Sequence, residues 1–252
     1  VSDAQLLLGS GARVHTLRCD VGAIADVRQL VLSAHEGSLR LRSVWHAAGV
    51  LADSTLAQQS ASSLVHVMSP KAGGAWAMQR ASAASPLRSY ALFSSAAALL
   101  GGAGQANYSA ANSCLDAIAT QRRSSSLAGV SVQWGPWGEV GMASGDAISA
   151  RMKASGFGLI GASAGLAVLH AAVQPYSPPI VAMLPVSWRR LLGSGAVPSL
   201  LSDFAPRSEA GVKAASGGGG GSTGSASVGV SLDTVLEMVR RTTGSTADAD
   251  SP

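Results

Sequence analysis

Short apolar runs alternate along this chain with longer segments in which apolar residues recur at helical spacing. The runs typical of strands are 13–21, 41–47, 90–94, 130–134 and 180–184. The segments typical of helices are 24–35, 70–84, 106–123 and 163–174. Strands that alternate with helices in this way form a parallel sheet with helices on its faces. The sequence therefore predicts an α/β fold built on a doubly wound parallel sheet.

Polar or small residues stand where three of these predicted strands end: Asp20, the segment 46–49, and the pair Ser94 and Ser95. The carboxyl ends of parallel strands meet at one edge of a sheet, and ligands bind there. Structural explanations stay open for each segment. Asp20 can cap the next helix, His46 can be a satisfied core histidine, and the serines can simply end a strand.

Tyr108 and Asn112 are four residues apart in the predicted helix 106–123, so they share one face of it. A phenol is a poor acid at neutral pH, but a nearby ammonium group stabilises the phenolate and lowers the phenol pKa. The chain has three lysines, and Lys71 is the candidate for that ammonium group. The alternative is a tyrosine that only packs in the core.

Five strings of residues resemble the ketoreductase domain of modular polyketide synthases, an extended branch of the short-chain dehydrogenase/reductase family. They are HAAGVL at 46–51, PKAGGAW at 70–76, FSSAA at 93–97, GQANYSAAN at 104–112 and WGPW at 134–137. Ordinary family members carry lysine four residues after the tyrosine, whereas these ketoreductases resemble one another in exchanging it with asparagine. Here that position is Asn112, and Lys71 fills the complementary one.

The resemblance implies a Rossmann-like sheet and an NADPH-dependent reduction of a β-ketoacyl thioester. Tyr108 would protonate the ketone oxygen while hydride reaches the carbonyl carbon, and Ser95 would hydrogen-bond the same oxygen. Lys71 would depress the phenol pKa and support the resupply of protons. Asn112 would hold the helix and a relay water in register.

The same resemblance assigns residues to the cofactor. Ala47, Ala48 and Gly49 would form the cofactor-facing end of a strand, and Pro136 and Trp137 would lie near the nicotinamide. The remaining contact, on the adenine side, would come from Asp20 and Val21.

Substrate contacts follow from the resemblance as well. Relatives that make the D-configured alcohol carry a Leu-Asp-Asp motif, of which this chain has Leu51, Ala52 and Asp53. Leu100 stands eight residues before Tyr108, where the opposite stereochemical class carries tryptophan. Both points favour the D-alcohol. The segment 141–157 would form a lid over the pantetheine arm, with Met142 facing the substrate.

The composition changes after about residue 204, where a Gly- and Ser-rich stretch contains five consecutive glycines. We expect a ketoreductase domain at 1–204 that lacks the first β-α units, a flexible linker at 205–230, and the truncated start of an acyl carrier domain at 231–252. The expected partners are a carrier domain with a phosphopantetheine-linked β-ketoacyl chain and the other domains of the same megasynthase.

No glycine-rich phosphate turn precedes Asp20, so we expect the sheet to be incomplete at its N-terminus and this chain alone to bind NADPH weakly and to be inactive. Other function classes fit less well. A non-catalytic structural relative would not need Lys71, Ser95, Tyr108 and Asn112, and a serine hydrolase would need a G-x-S-x-G motif, which neither Ser94 nor Ser95 occupies.

The composition limits the class of protein and its expected location. Hydrophobic residues make up 47% of the chain and charged residues 13%, which is typical of a packed core. No apolar run is long enough for a membrane span. The two cysteines lack the spacing of a disulfide framework or a metal site, so a cytoplasmic location is expected. The net charge of +4 is scattered and not grouped into a nucleic-acid-binding stripe.

Overall fold

A computed structural model of the chain describes residues 13–35, 40–138, 146–193 and 196–205. Within these ranges four strands form one sheet in the order β1-β2-β3-β4, and every neighbouring pair is parallel. The strands are β1 Ser43–His46, β2 Ser89–Ser95, β3 Val130–Trp134 and β4 Ile180–Met183. The predicted linker, the predicted carrier-domain start and Met142 lie outside the described residues.

Eight α-helices are described around the sheet. They are α1 Ile24–Ser33, α2 Ala61–Met68, α3 Gly74–Ala81, α4 Ala97–Leu100, α5 Ala106–Ser124, α6 Asp146–Ala154, α7 Ala162–Ala172 and α8 Trp188–Leu191. A π-helical turn, Ser69–Gly73, joins α2 to α3, and two 3₁₀ turns lie at Leu56–Gln58 and Ser199–Phe204. None of the described helices is long and apolar enough to cross a membrane.

The sheet has a packed core on each face because side chains alternate along a strand. On one face Tyr90 and Leu92 of β2 pack against helices α3 and α5 through Ala75 and Leu115. On the other face the second core includes Ala91, Val130, Val132, Trp134, Ile160 and Ala172, with α7 packed over it. Helices on both faces confirm the predicted doubly wound α/β fold.

The prediction of a strand at 13–21 is wrong. Residues 13–20 have no strand ladder, and Val14 and Leu17 are 37% and 55% exposed. A strand exists only when its backbone N–H and C=O groups bond a neighbouring strand. Among the described residues β1 pairs with β2 alone, so 13–21 does not add a strand at the free edge of β1.

The helix predicted at 70–84 begins earlier than expected, because α2 starts at Ala61. Ser60 and Ser63 form a reciprocal capping box there, a pattern that a serine-rich stretch conceals among loop signals. Pro70 therefore lies inside a longer helical unit and not in its first turn. The π-turn accommodates it, since this wider turn relaxes the bonding that a proline disrupts in an α-helix. The other predicted helices and strands are confirmed to within a few residues at their ends.

Candidate active site

Three strands end at one edge of the sheet, and the segments that follow them form the candidate site. Register pairs Ser95 with Trp134, so β2 and β3 end at the same level, whereas His46 pairs with Leu92, so β1 ends three residues earlier at the same edge of the sheet. The Ala96 N–H donates to the Trp134 carbonyl at 2.9 Å, which holds the end of β2 beside that of β3. The expectation that these ends meet at one edge is confirmed.

Tyr108 and Asn112 occupy the first turns of α5 and face inward together. Tyr108 is 8% exposed and Asn112 is fully buried. Asn112 Nδ2 donates to the Tyr108 carbonyl at 2.8 Å, whereas Asn112 Oδ1 has no hydrogen-bond partner within the described part of the chain. A buried amide oxygen without a partner is a ready acceptor for an ordered water.

Lys71 enters the site from the π-turn. Only 3% of the residue is exposed, and its Nζ donates to the Phe93 carbonyl at 2.9 Å. The same Nζ lies 5.4 Å from the centroid of the Tyr108 ring. At Gly49 a Cβ atom would come within 2.9 Å of Lys71 Cε, so a side chain there would push the lysine away. The fold thus brings Lys71, Tyr108 and Gly49 together from three separate elements.

The two serines at the end of β2 have different environments. Ser94 Oγ is buried and donates to the Asn112 carbonyl at 3.3 Å, which ties β2 to α5. Ser95 Oγ is half-buried and accepts the Ala97 N–H at 3.1 Å, so its own hydroxyl proton stays available for donation. Of the pair, Ser95 is therefore the one with a free donor.

Burial raises the pKa of the Tyr108 phenol, while the Asn112 and Ser95 side chains lower it by less and the charge of Asp53 raises it further. This direction is opposite to the expected one, because removing the phenolate from water outweighs the polar neighbours. Burial lowers the pKa of Lys71 to about 8, and the negative charge of Asp116 opposes that change. Tyr108 is consequently a neutral phenol, and Lys71 titrates near physiological pH.

Asp53 lies on the loop after β1, which is fastened to the start of α5. Gln105 Nε2 donates to Asp53 Oδ2 at 3.0 Å, and Ser54 N–H donates to the Gly104 carbonyl at 2.9 Å. Asp53 itself is exposed, at the rim beside Tyr108. This position is compatible with a substrate contact.

The residues expected on the cofactor side divide into two groups. Ala47, Ala48 and Gly49 follow β1 with no side chain larger than a methyl group, and the Lys71 side chain lies over Gly49. Asp20 Oδ1 accepts the Gly22 N–H at 2.9 Å, so this carboxylate also holds the turn that precedes α1. Val21 packs against the start of α3, where a Cβ on Gly74 would lie 3.1 Å from Val21 Cγ2.

Pro136 and Trp137 follow β3, and only the first lies at the sheet edge with its carbonyl bonded to the Ile160 N–H at 2.8 Å. The Trp137 ring packs into the second core, 5.0 Å from the Trp134 ring, and fills the space that a side chain at Gly165 would take. The structure therefore brings Lys71, Ser95, Tyr108 and Asn112 together and places the Trp137 ring in a packing role.

Two polar residues just before Tyr108 were not assigned a role from the sequence. Asn107 is 3% exposed; its Nδ2 donates to the Ala52 carbonyl at 2.9 Å and its Oδ1 accepts the Tyr108 N–H at 2.8 Å. Gln105 holds Asp53, as above. A short polar residue at the first turn of a helix is a recognisable capping signal, but its partner on a distant loop is not.

Comparison with known proteins bears on the fold and the family of the chain. The family model described as "KR domain" matches residues 2–139. The polyketide synthase GfsA of Streptomyces halstedii is 38% identical over 200 residues, which cover 77% of this chain and 3% of that protein. A structure of A-type ketoreductases from a modular polyketide synthase aligns with a TM-score of 0.74 and 31% identity, over 79% of this chain and 43% of that one.

A second solved structure, PlmKR1, is the ketoreductase from the first module of phoslactomycin biosynthesis in Streptomyces sp. HK803. It aligns with a TM-score of 0.73 and 31% identity, over 81% of this chain and 48% of that one. The chain thus spans under half the length of these two ketoreductase structures and a few hundredths of the length of the synthase.

Proposed function

Since the chain belongs to the KR domain family, the ketoreductases of modular polyketide synthases, we propose that its site reduces a β-ketoacyl thioester to the β-hydroxyacyl thioester. The observation that carries this proposal is the cluster of Lys71, Tyr108 and Asn112 at the carboxyl edge of a parallel sheet. The cluster stands beside a strand end made only of small residues.

NADPH, when bound, supplies the hydride that adds to the carbonyl carbon of the ketone. Its nicotinamide end is proposed to lie against Ala47, Ala48 and Gly49, whose side chains are no larger than a methyl group and which follow β1 beside Lys71. Pro136 borders the same edge from β3. Asp20 and Val21 are proposed to hold the adenine side.

Tyr108 is the proton donor in this proposal. Burial keeps its phenol neutral, so Oη carries a proton for the ketone oxygen as that oxygen becomes an alcohol. The free hydroxyl proton of Ser95 is donated to the same oxygen and orients it. The C=O double bond is thereby converted to C–H and O–H bonds, and Tyr108 is left as a phenolate.

Lys71 and Asn112 restore Tyr108 for the next turnover. With a pKa of about 8, the Lys71 ammonium group is charged at neutral pH and gives up a proton readily. The unpartnered Asn112 Oδ1 is an acceptor for a water between the lysine and solvent. Protons would reach the phenolate along this path.

The substrate is proposed to be presented by an acyl carrier domain, and the product to be the D-alcohol. Support comes from Asp53, which lies at the rim beside Tyr108, and from Leu100 at the position that tryptophan takes in the opposite class. The other domains of the same synthase are the further partners proposed.

The decisive experiment replaces Tyr108 with Phe in the synthase that carries this chain and follows NADPH oxidation with a β-ketoacyl thioester. We expect turnover to fall by about 10²- to 10⁴-fold, the usual contribution of a general acid. Tyr90→Phe is the matched control, because Tyr90 is also buried but its hydroxyl donates to the Ala75 carbonyl at 2.6 Å, away from the site.

Turnover retained in Tyr108→Phe would contradict the proposed chemistry and favour a structural, non-catalytic role. Chiral analysis of the product tests the stereochemical part separately, and an excess of the L-alcohol would overturn it.

A further inference from the structure

We propose that His46 is a positioning residue for Lys71: its imidazole, inserted against the π-turn, fixes the backbone from which the lysine reaches Tyr108. This inference rests on the proposed function, in which Lys71 serves Tyr108. His46 was considered from the sequence only as part of a strand end or as a core histidine. The contacts of His46 assign it a more specific role, which is to position Lys71.

The first observation is a hydrogen bond inside the core. His46 Nε2 lies 2.9 Å from the carbonyl oxygen of Lys71. A carbonyl only accepts, so Nε2 carries the proton and donates. His46 is 3% exposed, and it is the only one of the five histidines that is buried.

The second observation is the kind of backbone that this bond holds. In the π-turn the Gly74 N–H donates to the carbonyls of both Lys71 and Ser69, in place of the single regular bond of an α-helix. His46 adds a second donor to the Lys71 carbonyl. The one irregular turn in the helical unit from Ala61 to Ala81 is therefore stabilised at the residue that enters the site.

The third observation is the close fit around the imidazole and the lysine. A Cβ at Gly74 would lie 3.0 Å from His46 Cε1, and a Cβ at Gly49 would lie 2.9 Å from Lys71 Cε. Lys71 is thus held at two points, its carbonyl by His46 and its Nζ by the Phe93 carbonyl, and the missing side chain at Gly49 leaves room for its Cε.

Three titratable groups face Lys71 and bear on its titration. His46 lies on β1, and Tyr108 and Asp116 lie on α5. Asp116 is tied to β3, accepting Ser131 Oγ at 2.6 Å and Gln133 Nε2 at 2.8 Å. Burial lowers the pKa of His46, so the imidazole is neutral and does not add a charge.

The experiment measures the titration of Lys71 directly, without the reaction. The full chain has three lysines, Lys71, Lys153 and Lys213, so lysine-selective ¹³C and ¹⁵N labelling gives three sets of NMR signals. The signal lost in Lys71→Arg is that of Lys71. In the wild type its midpoint is expected at about pH 8.

His46→Leu removes the donor, and the Lys71 midpoint is expected to move up toward 10.5, the ordinary lysine value, as the side chain leaves its buried place. His46→Gln, whose Nε2 can reach the same carbonyl, is expected to keep the wild-type midpoint. His35→Leu is the matched control, because His35 Nδ1 also lies 2.7 Å from a helix carbonyl, that of Val31, far from Lys71 in the sequence.

A folded His46→Leu variant that keeps the wild-type midpoint overturns the proposal. If that variant does not fold, Gly74→Ala is the deciding variant, because its Cβ crowds the His46 imidazole while the Nε2 donor is kept. An unchanged Lys71 midpoint in Gly74→Ala overturns the proposal, and a raised midpoint supports it. In the synthase, kcat is expected to fall by about 10- to 100-fold in His46→Leu with KM little changed, as for a small misplacement of a catalytic group. Because the NMR titration needs no turnover, a synthase that carries this chain and reduces no ketone refutes the proposed function and leaves the role of His46 to be judged on its own.

Discussion

At the scale of single residues, the pair of Tyr108 and Asn112 is easy to identify from the sequence, whereas the charge state of Lys71 is not. The spacing of Tyr108 and Asn112 follows from helix geometry. The charge state of Lys71 depends on burial beneath β2 and on Asp116, neither of which is visible locally. The site therefore contains a buried ammonium group that lowers the stability of the fold and, in the proposed function, serves the chemistry.

That cost gives a prediction for Lys71→Met. The unfolded chain holds the lysine proton up to about pH 10.5, while the folded chain releases it near pH 8. Between these values the unfolded chain binds more protons, so this group makes stability rise with pH by about 3 kcal/mol across the window. Below pH 8 the penalty is fully present. The variant lacks it and is expected to be at least as stable as the wild type at pH 7.

Chemical denaturation of both proteins at pH 7, 8 and 10 measures this difference. The advantage of Lys71→Met should shrink as the pH rises, whereas Lys153→Met, at an exposed position on α6, should show a constant difference from the wild type. A difference between Lys71→Met and the wild type that does not depend on pH would show that Lys71 titrates normally.

At the scale of elements, the segments after the strands are placed by close packing between helices and loops. The π-turn presents Lys71, the Asp53 loop is fastened to α5 through Gln105, and Trp137 is clamped against α7. Each of these arrangements depends on a residue small enough or polar enough to permit it. Glycine positions are the clearest cases, because the space for a Cβ is either present or absent.

Gly165→Ala and Gly161→Ala test the packing of the Trp137 ring against α7. A Cβ at Gly165 would overlap the Trp137 ring, so we expect a loss of about 1–3 kcal/mol, as in other overpacked cores. At Gly161, the N-cap of α7, a Cβ meets nothing within 4 Å. The N-cap preference for glycine over alanine offsets the lower entropy of the unfolded alanine chain, so this variant is expected to be nearly neutral.

Thermal unfolding of the two variants and the wild type provides the measurement. Equal melting temperatures for the two alanine variants would show that the Trp137 ring moves aside freely, and the packing role assigned to it would then be wrong.

At the scale of the whole molecule, the sheet separates two hydrophobic cores, and the candidate site lies at the carboxyl ends of its strands. Tyr90 and Leu92 belong to one core, Ala91 and Trp134 to the other, and the strand ends carry the site. The chain has a formal net charge of +4, which favours an acidic partner. We expect the proposed acyl carrier domain to be such a partner.

Fluorescence anisotropy measures the binding of an isolated holo acyl carrier domain to this chain. The affinity should fall by about tenfold between 0.02 M and 0.2 M salt, because salt screens electrostatic attraction. KM for an uncharged pantetheine thioester should barely change over the same range. Binding that is insensitive to salt would contradict electrostatic attraction between the chain and the carrier domain.

The sequence by itself determined the alternation of strands and helices, the shared face of Tyr108 and Asn112, and the family that these residues resemble. These features are local or periodic, and hydrophobic spacing records them directly. It predicted wrongly a strand at 13–21 and a late start for the helix that carries Lys71. The first needs a neighbouring strand, and the second depended on a capping box hidden in a serine-rich segment.

Only the tertiary structure decided how the active-site residues are held and charged. The Phe93 carbonyl that receives Lys71, the imidazole of His46 against the π-turn, and the raised pKa of Tyr108 all arise between segments distant in the chain. Burial and distance set these properties, and neither is encoded within a short window of residues. The sequence thus predicted the candidate site residues, and the packing of three elements set their geometry and protonation.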